Sequence, residues 1–256
     1  MKDMLAEIVA KKKDIVDRAR LDLPLAKLKK QVNIGRFAME DVFSKNKWSL
    51  IAECKLQSPS KGNFGHPYSV ADLARMYENS GAKMLSVHTD PHFLGRNEDI
   101  PMVKKLVNLP VLRKDFIIDE YQIYEAKILG AKAVLLIVAL LELPVLKRYI
   151  EICDRLGLSA LVEVHDEEEM KIAVDAGARL IGVNNRNLKD FTVDIHNSMR
   201  LRKLAPEDAV FVAESGIRTA EDIQELRDGG VNAVLIGETL MRSSDKKKML
   251  DELRGN

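Results

Sequence analysis

Four segments of the chain repeat one pattern: a glycine, a short turn, then an unbroken apolar run. They are Gly81-Ala82-Lys83-Met84-Leu85-Ser86-Val87, Gly130-Ala131-Lys132-Ala133-Val134-Leu135-Leu136, Gly177-Ala178-Arg179-Leu180-Ile181-Gly182-Val183 and Gly230-Val231-Asn232-Ala233-Val234-Leu235-Ile236. Glycine suits the left-handed residue that closes a helix, and a short continuously apolar run is how a strand covered on both faces reads. Further runs of the same kind lie at residues 50–52, 110–112, 158–164 and 210–213. Together they predict eight strands starting near residues 50, 84, 110, 133, 158, 179, 210 and 232, with room for a helix and two loops between successive ones. Leu143, Leu146, Ile150 and Cys153 step along one helical face, which places Cys153 in the core. Ser69 to Asp72, Asp166 to Glu169 and Thr219 to Asp222 supply N-cap signals.

Eight alternating βα units allow a closed parallel barrel or an open doubly wound sheet. No G-x-G-x-x-G follows the first strand, so the expectation is an α/β fold of the (β/α)8 TIM-barrel class. Residues 1–45 read as an N-terminal helical extension: Met4, Leu5, Ile8, Val9, Ile15 and Val16 share one face, and a second segment covers residues 24–30. This stripe is expected to cap the barrel, with a dimerising helix as the alternative. Residues 1–256 then form a single barrel domain with 1–45 as its extension.

Composition narrows the function classes. Forty Lys and Arg against 39 Asp and Glu leave a net charge of +1, which provides no basic excess for nucleic acid or an anionic membrane. The longest apolar run, residues 133–141, is well short of the roughly 20 residues a membrane-spanning helix needs, and no signal-type stretch opens the chain. A soluble, cytoplasmic protein is expected. Cys54 and Cys153 are too few for a disulfide framework, and His66, His88, His92, His165 and His196 form no H-x-x-x-H pattern, so no metal site is expected. Lys11-Lys12-Lys13 and Lys246-Lys247-Lys248 read as solvated helix faces.

In a parallel barrel the loops after the strands gather at one end, where active sites lie. Five runs finish in ionisable or amide side chains: Glu53-Cys54-Lys55, Arg113-Lys114-Asp115, Glu163, Asn184-Asn185-Arg186 and Glu214-Ser215. Residues two apart on a strand share a face. Glu53 and Lys55 therefore point the same way, Lys114 with Leu112, Glu163 with Leu161, Asn184 with Gly182 and Glu214 with Val212. Such clustered charge separates pKa values into acid and base roles, and a lysine near other cations in a dry mouth is expected to lose its proton more readily. His88, at the end of the second strand, is a candidate wall residue. The glycine-bearing loops Ser58-Pro59-Ser60-Lys61-Gly62, Ser215-Gly216-Ile217-Arg218 and Gly237-Glu238 suit an anion, because they follow strands one, seven and eight, neighbours in a closed barrel.

These residues carry a resemblance. Glu53-Cys54-Lys55-Leu56-Gln57-Ser58-Pro59-Ser60 resembles the E-x-K-x-x-S-P-S signature of the indole-3-glycerol phosphate synthase family. Leu112-Arg113-Lys114-Asp115-Phe116-Ile117, Leu161-Val162-Glu163-Val164-His165, Gly182-Val183-Asn184-Asn185-Arg186-Asn187-Leu188, Val212-Ala213-Glu214-Ser215-Gly216-Ile217 and Leu235-Ile236-Gly237-Glu238 are similar to that family's strand-end motifs, in the same order. His88 departs from the family's usual apolar residue. The resemblance implies a cofactor-free lyase of tryptophan biosynthesis. Such an enzyme decarboxylates and dehydrates 1-(2-carboxyphenylamino)-1-deoxyribulose 5-phosphate to indole-3-glycerol phosphate. It implies Lys114 as the acid on the ketone oxygen, Glu163 as its partner in later proton transfers, and Lys55 as the second lysine. Glu53 and Glu214 would hold groups in register, and Asn184 and Arg186 would bind the anthranilate-derived part. Ser58, Ser215, Gly216, Gly237 and Glu238 would form the phosphate site. It further implies a monomer that can associate with other tryptophan-pathway enzymes, while the stripe on the first helix leaves a partner subunit open. A Schiff-base phosphosugar aldolase using Lys114 or Lys55, and a non-catalytic phosphate-binding barrel, are the alternatives that the residues alone allow.

Overall fold

The computed structural model describes residues 4–45, 48–58, 62–64, 67–187 and 192–254. Pro59, Ser60, Lys61, His66 and Leu188 lie outside the described residues, and of Met4 and Ser58 only the backbone is described. Eight strands form the frame: β1 (Ser49–Cys54), β2 (Met84–His88), β3 (Val111–Lys114), β4 (Ala133–Ile137), β5 (Ser159–Val164), β6 (Leu180–Asn184), β7 (Val210–Glu214) and β8 (Ala233–Ile236). They close into a parallel barrel, with Ile51 of β1 opposite Met84 on one side and Leu235 on the other. Three helices precede β1: α1 (Met4–Asp22), α2 (Leu25–Gln31) and α3 (Ala38–Lys45). After β1 to β7 come α4 (Val70–Asn79), α5 (Asp99–Leu106), α6 (Glu120–Leu129), α7 (Leu143–Leu156), α8 (Glu167–Asp175), α9 (His196–Arg202) and α10 (Ala220–Asp228). β8 leads into α11 (Glu238–Arg242) and α12 (Lys246–Arg254).

Strand alternation splits the apolar residues into two cores. Cys54, Leu136, Val162, Phe211, Tyr77 and Cys153 pack between strands and helices, whereas Ile51, Met84, Leu112, Leu161, Leu180, Val212 and Leu235 fill the barrel. Both cysteines are free and buried, and burial pushes their thiols up, away from reactive thiolate. Each interior residue hands the same face to the next alternate position, so Ile51 leads to Glu53, Leu112 to Lys114, Leu161 to Glu163 and Val212 to Glu214. The predicted eight strands and their faces agree with this arrangement.

The N-terminal helices do more than the apolar stripe implies. The third helix, α3, lay unseen in the pattern, and its Met39 and Phe43 join the barrel's inner core. The Met39 N–H donates to Ser159 Oγ at 3.2 Å, and Ser159 Oγ donates to Glu40. Ser159 opens β5, so α3 stoppers the end of the barrel opposite the strand C-termini. Helix α1 runs to the other end, where Leu5 and Ile8 meet the mouth.

Three sequence expectations fail here. Lys12 is not solvated: it is 3% exposed and pairs with Asp90 at 2.8 Å and Asp115 at 2.6 Å, because α1 lays it across the loops after β2 and β3. Lys246 is also buried, donating to the carbonyls of Met241 and Ser243 beneath the Tyr68 ring. Leu143 opens α7 partly exposed, while Leu146, Ile150 and Cys153 on the same helix are buried. The capping boxes at Ser69 and Thr219 are complete. At α8 Asp166 accepts from the Glu169 N–H, but the Glu169 carboxylate turns back to His165. Among the described residues no helix is long and apolar enough to cross a membrane.

Candidate active site

A cavity of about 200 Å³ opens at the C-terminal end of the barrel. Its walls hold Glu53 and Lys55 from β1 and its loop, His88 from β2, Lys114 from β3, Glu163 from β5, Asn184 from β6 and Glu214 from β7. Arg186, Ser215, Gly216, Gly237 and Glu238 line it as well, so every candidate residue except Ser58, whose side chain is not described, reaches one pocket. Phe93, Phe116, Leu5 and Ile8 supply an apolar wall.

Lys114 is the hub. Its Nζ donates to Glu214 Oε2 at 2.5 Å and to Glu163 Oε2 at 3.2 Å. Burial lowers an ammonium's pKa, but the carboxylates of Glu214, Glu163 and Glu53 outweigh it and hold Lys114 well above the usual lysine range. The expected depression by neighbouring cations is therefore overturned: what surrounds this lysine is anionic.

The two glutamates beside it differ. Burial raises both, yet Glu163 ends well below the ordinary carboxylate range, because Lys114, His165 and Asn184 all favour its charge. Its Oε1 lies 3.3 Å from the Asn184 amide and 3.4 Å from His165 Nε2. Glu214 is pushed up to about 7 by burial, against the pull of Lys114 and with Glu163 and Glu53 adding to the rise. Its Oε1 is buried without a hydrogen-bond partner among the described residues. Gly182 makes room for that oxygen, since a β-carbon there would collide with it.

A second cluster surrounds Glu53. His88 Nε2 lies 2.8 Å from Glu53 Oε1, and Lys55 Nζ lies 3.5 Å from Oε2. The His88 ring stacks on Phe93 with centroids 4.3 Å apart and planes 7° off parallel, and Lys55 Nζ sits over the Phe93 ring 5.4 Å from its centroid. Burial lowers the His88 pKa despite Glu53, so the imidazole is neutral and donates Nε2–H to the carboxylate. Burial opposes the Glu53 charge, but Lys55, His88 and Lys114 hold it well below the carboxylate range.

The loops after β6, β7 and β8 close one side of the pocket. Ser215 and Gly216 are consecutive left-handed residues, with φ of 67° and 85°, a turn that points successive N–H groups to one side. Gly237 opens α11, and a β-carbon on it would strike Glu53 Oε2. Arg186 donates from Nη2 to Glu238 Oε2 at 3.1 Å and from its backbone N–H to Asn184 Oδ1. No group of three or more His, Cys, Asp or Glu among the described residues has metal-holding geometry.

Residue-by-residue reasoning missed His165 and Lys12. His165 carried a signal, standing two positions after Glu163, where alternation continued past the end of β5 places it on the same side. Lys12 carried none, because a lysine triplet reads alike whether its middle member is wet or buried.

Acid and base side chains converging at the C-terminal mouth of a (β/α)8 barrel, beside loops shaped for an anion, define an enzyme of the phosphate-handling barrel class. The sequence pattern of the indole-3-glycerol phosphate synthase family matches residues 5–253, and this chain belongs to that family. It is 52% identical to the indole-3-glycerol phosphate synthase of Ruminiclostridium cellulolyticum, with 99% of each chain covered. It is 46% identical to that of Lachnoclostridium phytofermentans, with 98% of each covered. Among solved structures it resembles thiamine phosphate pyrophosphorylase from Pyrococcus furiosus, with a TM-score of 0.59 at 16% identity over 84% of this chain and 96% of that one. A second, KGPDC from Streptococcus mutans, gives 0.61 at 11% identity over 82% and 97%. Both show the barrel fold alone.

Proposed function

We propose that the mouth closes the ring of 1-(2-carboxyphenylamino)-1-deoxyribulose 5-phosphate, releasing carbon dioxide and water to give indole-3-glycerol phosphate. The chain is a carbon–carbon lyase, a carboxy-lyase of tryptophan biosynthesis. The observation that carries the residue roles is Lys114, held as an ammonium between two glutamates and largely buried with them. Forming a carbon–carbon bond at a ketone requires a proton donor on the oxygen, and an ammonium that carries its proton in the resting pocket supplies one, becoming the neutral amine as the oxygen takes the proton. Lys114 serves as that acid, and Glu163, kept ionised, takes the ring proton in the later steps. Lys55, above Phe93 and beside Glu53, is the second lysine, which engages the hydroxyl lost as water. Glu53 and Glu214 anchor the two lysines, while Asn184 and Arg186 receive the anthranilate-derived ring and its carboxylate. Ser58, Ser215, Gly216, Gly237 and the backbone of Glu238 bind the phosphate. Loss of the carboxylate draws on the cyclised ring cation as electron acceptor, so the sequence of steps calls for no added cofactor.

A Schiff-base aldolase requires a free amine, and the carboxylates around Lys114 hold it protonated. We place the enzyme in the cytoplasm, as a monomer acting on a small phosphorylated molecule rather than on nucleic acid or membrane, able to associate with other tryptophan-pathway enzymes. In this reading residues 1–256 are one domain with 1–45 as its extension. Purified protein incubated with the substrate, with no metal or cofactor added, is expected to generate indole fluorescence that Lys114→Ala abolishes. Absence of product with the unaltered protein, or full activity in Lys114→Ala, overturns the assignment.

A further inference from the structure

Two glutamates share Lys114, and their surroundings are unequal. Glu163 has a hydrogen-bond donor for each oxygen, Lys114 on Oε2 and the Asn184 amide on Oε1, and His165 Nε2 stands within ion-pair range of Oε1 at 3.4 Å without completing a hydrogen bond. Glu214 has Lys114 on Oε2 and, among the described residues, no hydrogen-bond partner on its buried Oε1. A buried carboxylate oxygen without a donor is costly, whereas a carboxylic acid turns the same oxygen into an O–H that can wait for an acceptor. His165 is the asymmetric element. Its Nδ1 lies 2.9 Å from Glu169 Oε2, which also accepts the His165 backbone N–H at 2.8 Å. The Asn197 amide holds the His165 carbonyl at 3.0 Å. The ring is thus clamped by α8 and presents Nε2 to Glu163.

We propose that His165 decides which of the two glutamates is the carboxylate: as an imidazolium oriented by Glu169 it holds Glu163 ionised and leaves the shared proton on Glu214 Oε1. Glu214 then offers the pocket an O–H, a second proton donor beside Lys114, and Glu163 remains the acceptor. Asp115, paired with Lys12 and Arg113, and Arg186, paired with Glu238, line the same mouth as the two glutamates. Lys114 comes from β3, Glu53 from β1 with Lys55 and His88 around it, and Glu169 from α8. The shifts run the same way, with the His165 pKa raised to about 10 because Glu163 and Glu169 outweigh its burial. His165 is a positioning residue, since it touches Glu163 rather than the reacting atoms. This rests on the catalytic reading above, so its main test is independent of turnover.

In the substrate-free protein carrying 13C-labelled glutamate, with carboxyl resonances assigned to each residue, Glu214 is expected to titrate near neutrality. Glu163 stays ionised throughout the same range. In His165→Gln the Glu163 titration is expected to move upward by about 1–3 pH units, narrowing its separation from that of Glu214. Glu169→Gln, which frees the ring, is expected to move it the same way by less. The acid limb of kcat/KM should follow Glu163 in both variants, whereas a merely structural defect would lower activity equally at all pH. The proposal is overturned if Glu214 remains ionised at neutral pH in the unaltered protein, if Glu163 titrates in its place, or if neither variant moves the Glu163 titration while both keep the folded protein's circular dichroism.

Discussion

Replacing Lys12 by methionine tests whether the N-terminal helix is held by charge. Methionine keeps most of the length and apolar stem of the side chain but deletes the ammonium that sits 2.6 Å from Asp115 and 2.8 Å from Asp90. Breaking a buried ion pair from one side costs about 3–5 kcal/mol, because a charge is left in low dielectric. Here the survivors keep other donors. Asp115 retains Arg113 at 2.9 Å, Thr89 at 2.8 Å and the Phe116 N–H, and Asp90 retains the His92 N–H and ring on Oδ1, while its buried Oδ2 has no hydrogen-bond partner among the described residues. The cost should therefore fall near the lower end, about 3 kcal/mol, which for a chain of this size lowers Tm by about 6–12 °C. Leu5 and Ile8 ride on the same helix and line the pocket, so KM should rise about tenfold as that apolar wall loosens, with kcat less affected. Burial opposes the charge of Asp115, but Arg113 and Lys12 hold its pKa below the ordinary value. Its contribution is complete above about pH 4 and is lost as pH falls through the lower folded value. Lys12→Met should thus lose less stability on acidification than the unaltered protein. Thermal melts between pH 3 and 8 with steady-state kinetics would decide it. A Tm shift below about 2 °C together with an unchanged KM refutes the reasoning.

Other expectations follow from the pocket. Gly182→Ala should cut kcat by about a hundredfold while leaving Tm within a few degrees, because the new methyl displaces the Glu214 carboxyl; near-normal kcat would show that Oε1 has room to move. His88→Leu should lower kcat about tenfold by depriving Glu53 of its Nε2–H donor, and His88→Gln should restore part of it. The His88 pKa is depressed by burial, so its neutral form contributes stability above about pH 6.5 that disappears as pH falls through the lower folded value. Melts of His88→Leu should show a flatter decline below pH 6.5. His165 has the opposite sign: its contribution is complete below about pH 6.5 and fades as pH rises towards about 10, so His165→Gln should remove an alkaline loss of stability seen in the unaltered protein.

The barrel was legible because each strand is a continuous apolar run closed by a glycine-bearing turn, and the site was legible because alternation carries a side chain's facing along the strand. Knowing that Ile51 points inward settles Glu53, and Leu161 settles Glu163. What alternation does not carry is distance around the ring. That Glu163 and Glu214 both reach Lys114, and so reverse the expected sign of its shift, depends on how far β5 and β7 bring their ends together. Lys12 and Lys246 are illegible for a related reason: each is buried by partners from elsewhere in the fold, and their lysine neighbours are exposed. Helix α3 is only eight residues long, and Met39 and Phe43 form too short a stripe to stand out.

Closure of the ring also sets an order of events during synthesis. Ile51 is made early, yet one of its two neighbouring strands contains Leu235 and emerges almost at the end. At ordinary ribosomal speeds the edge of β1 stays unpaired for on the order of ten seconds, a flat apolar edge of the kind that recruits other chains. The same seam that gives the finished barrel no free edge leaves β1 waiting through most of synthesis for its second neighbour.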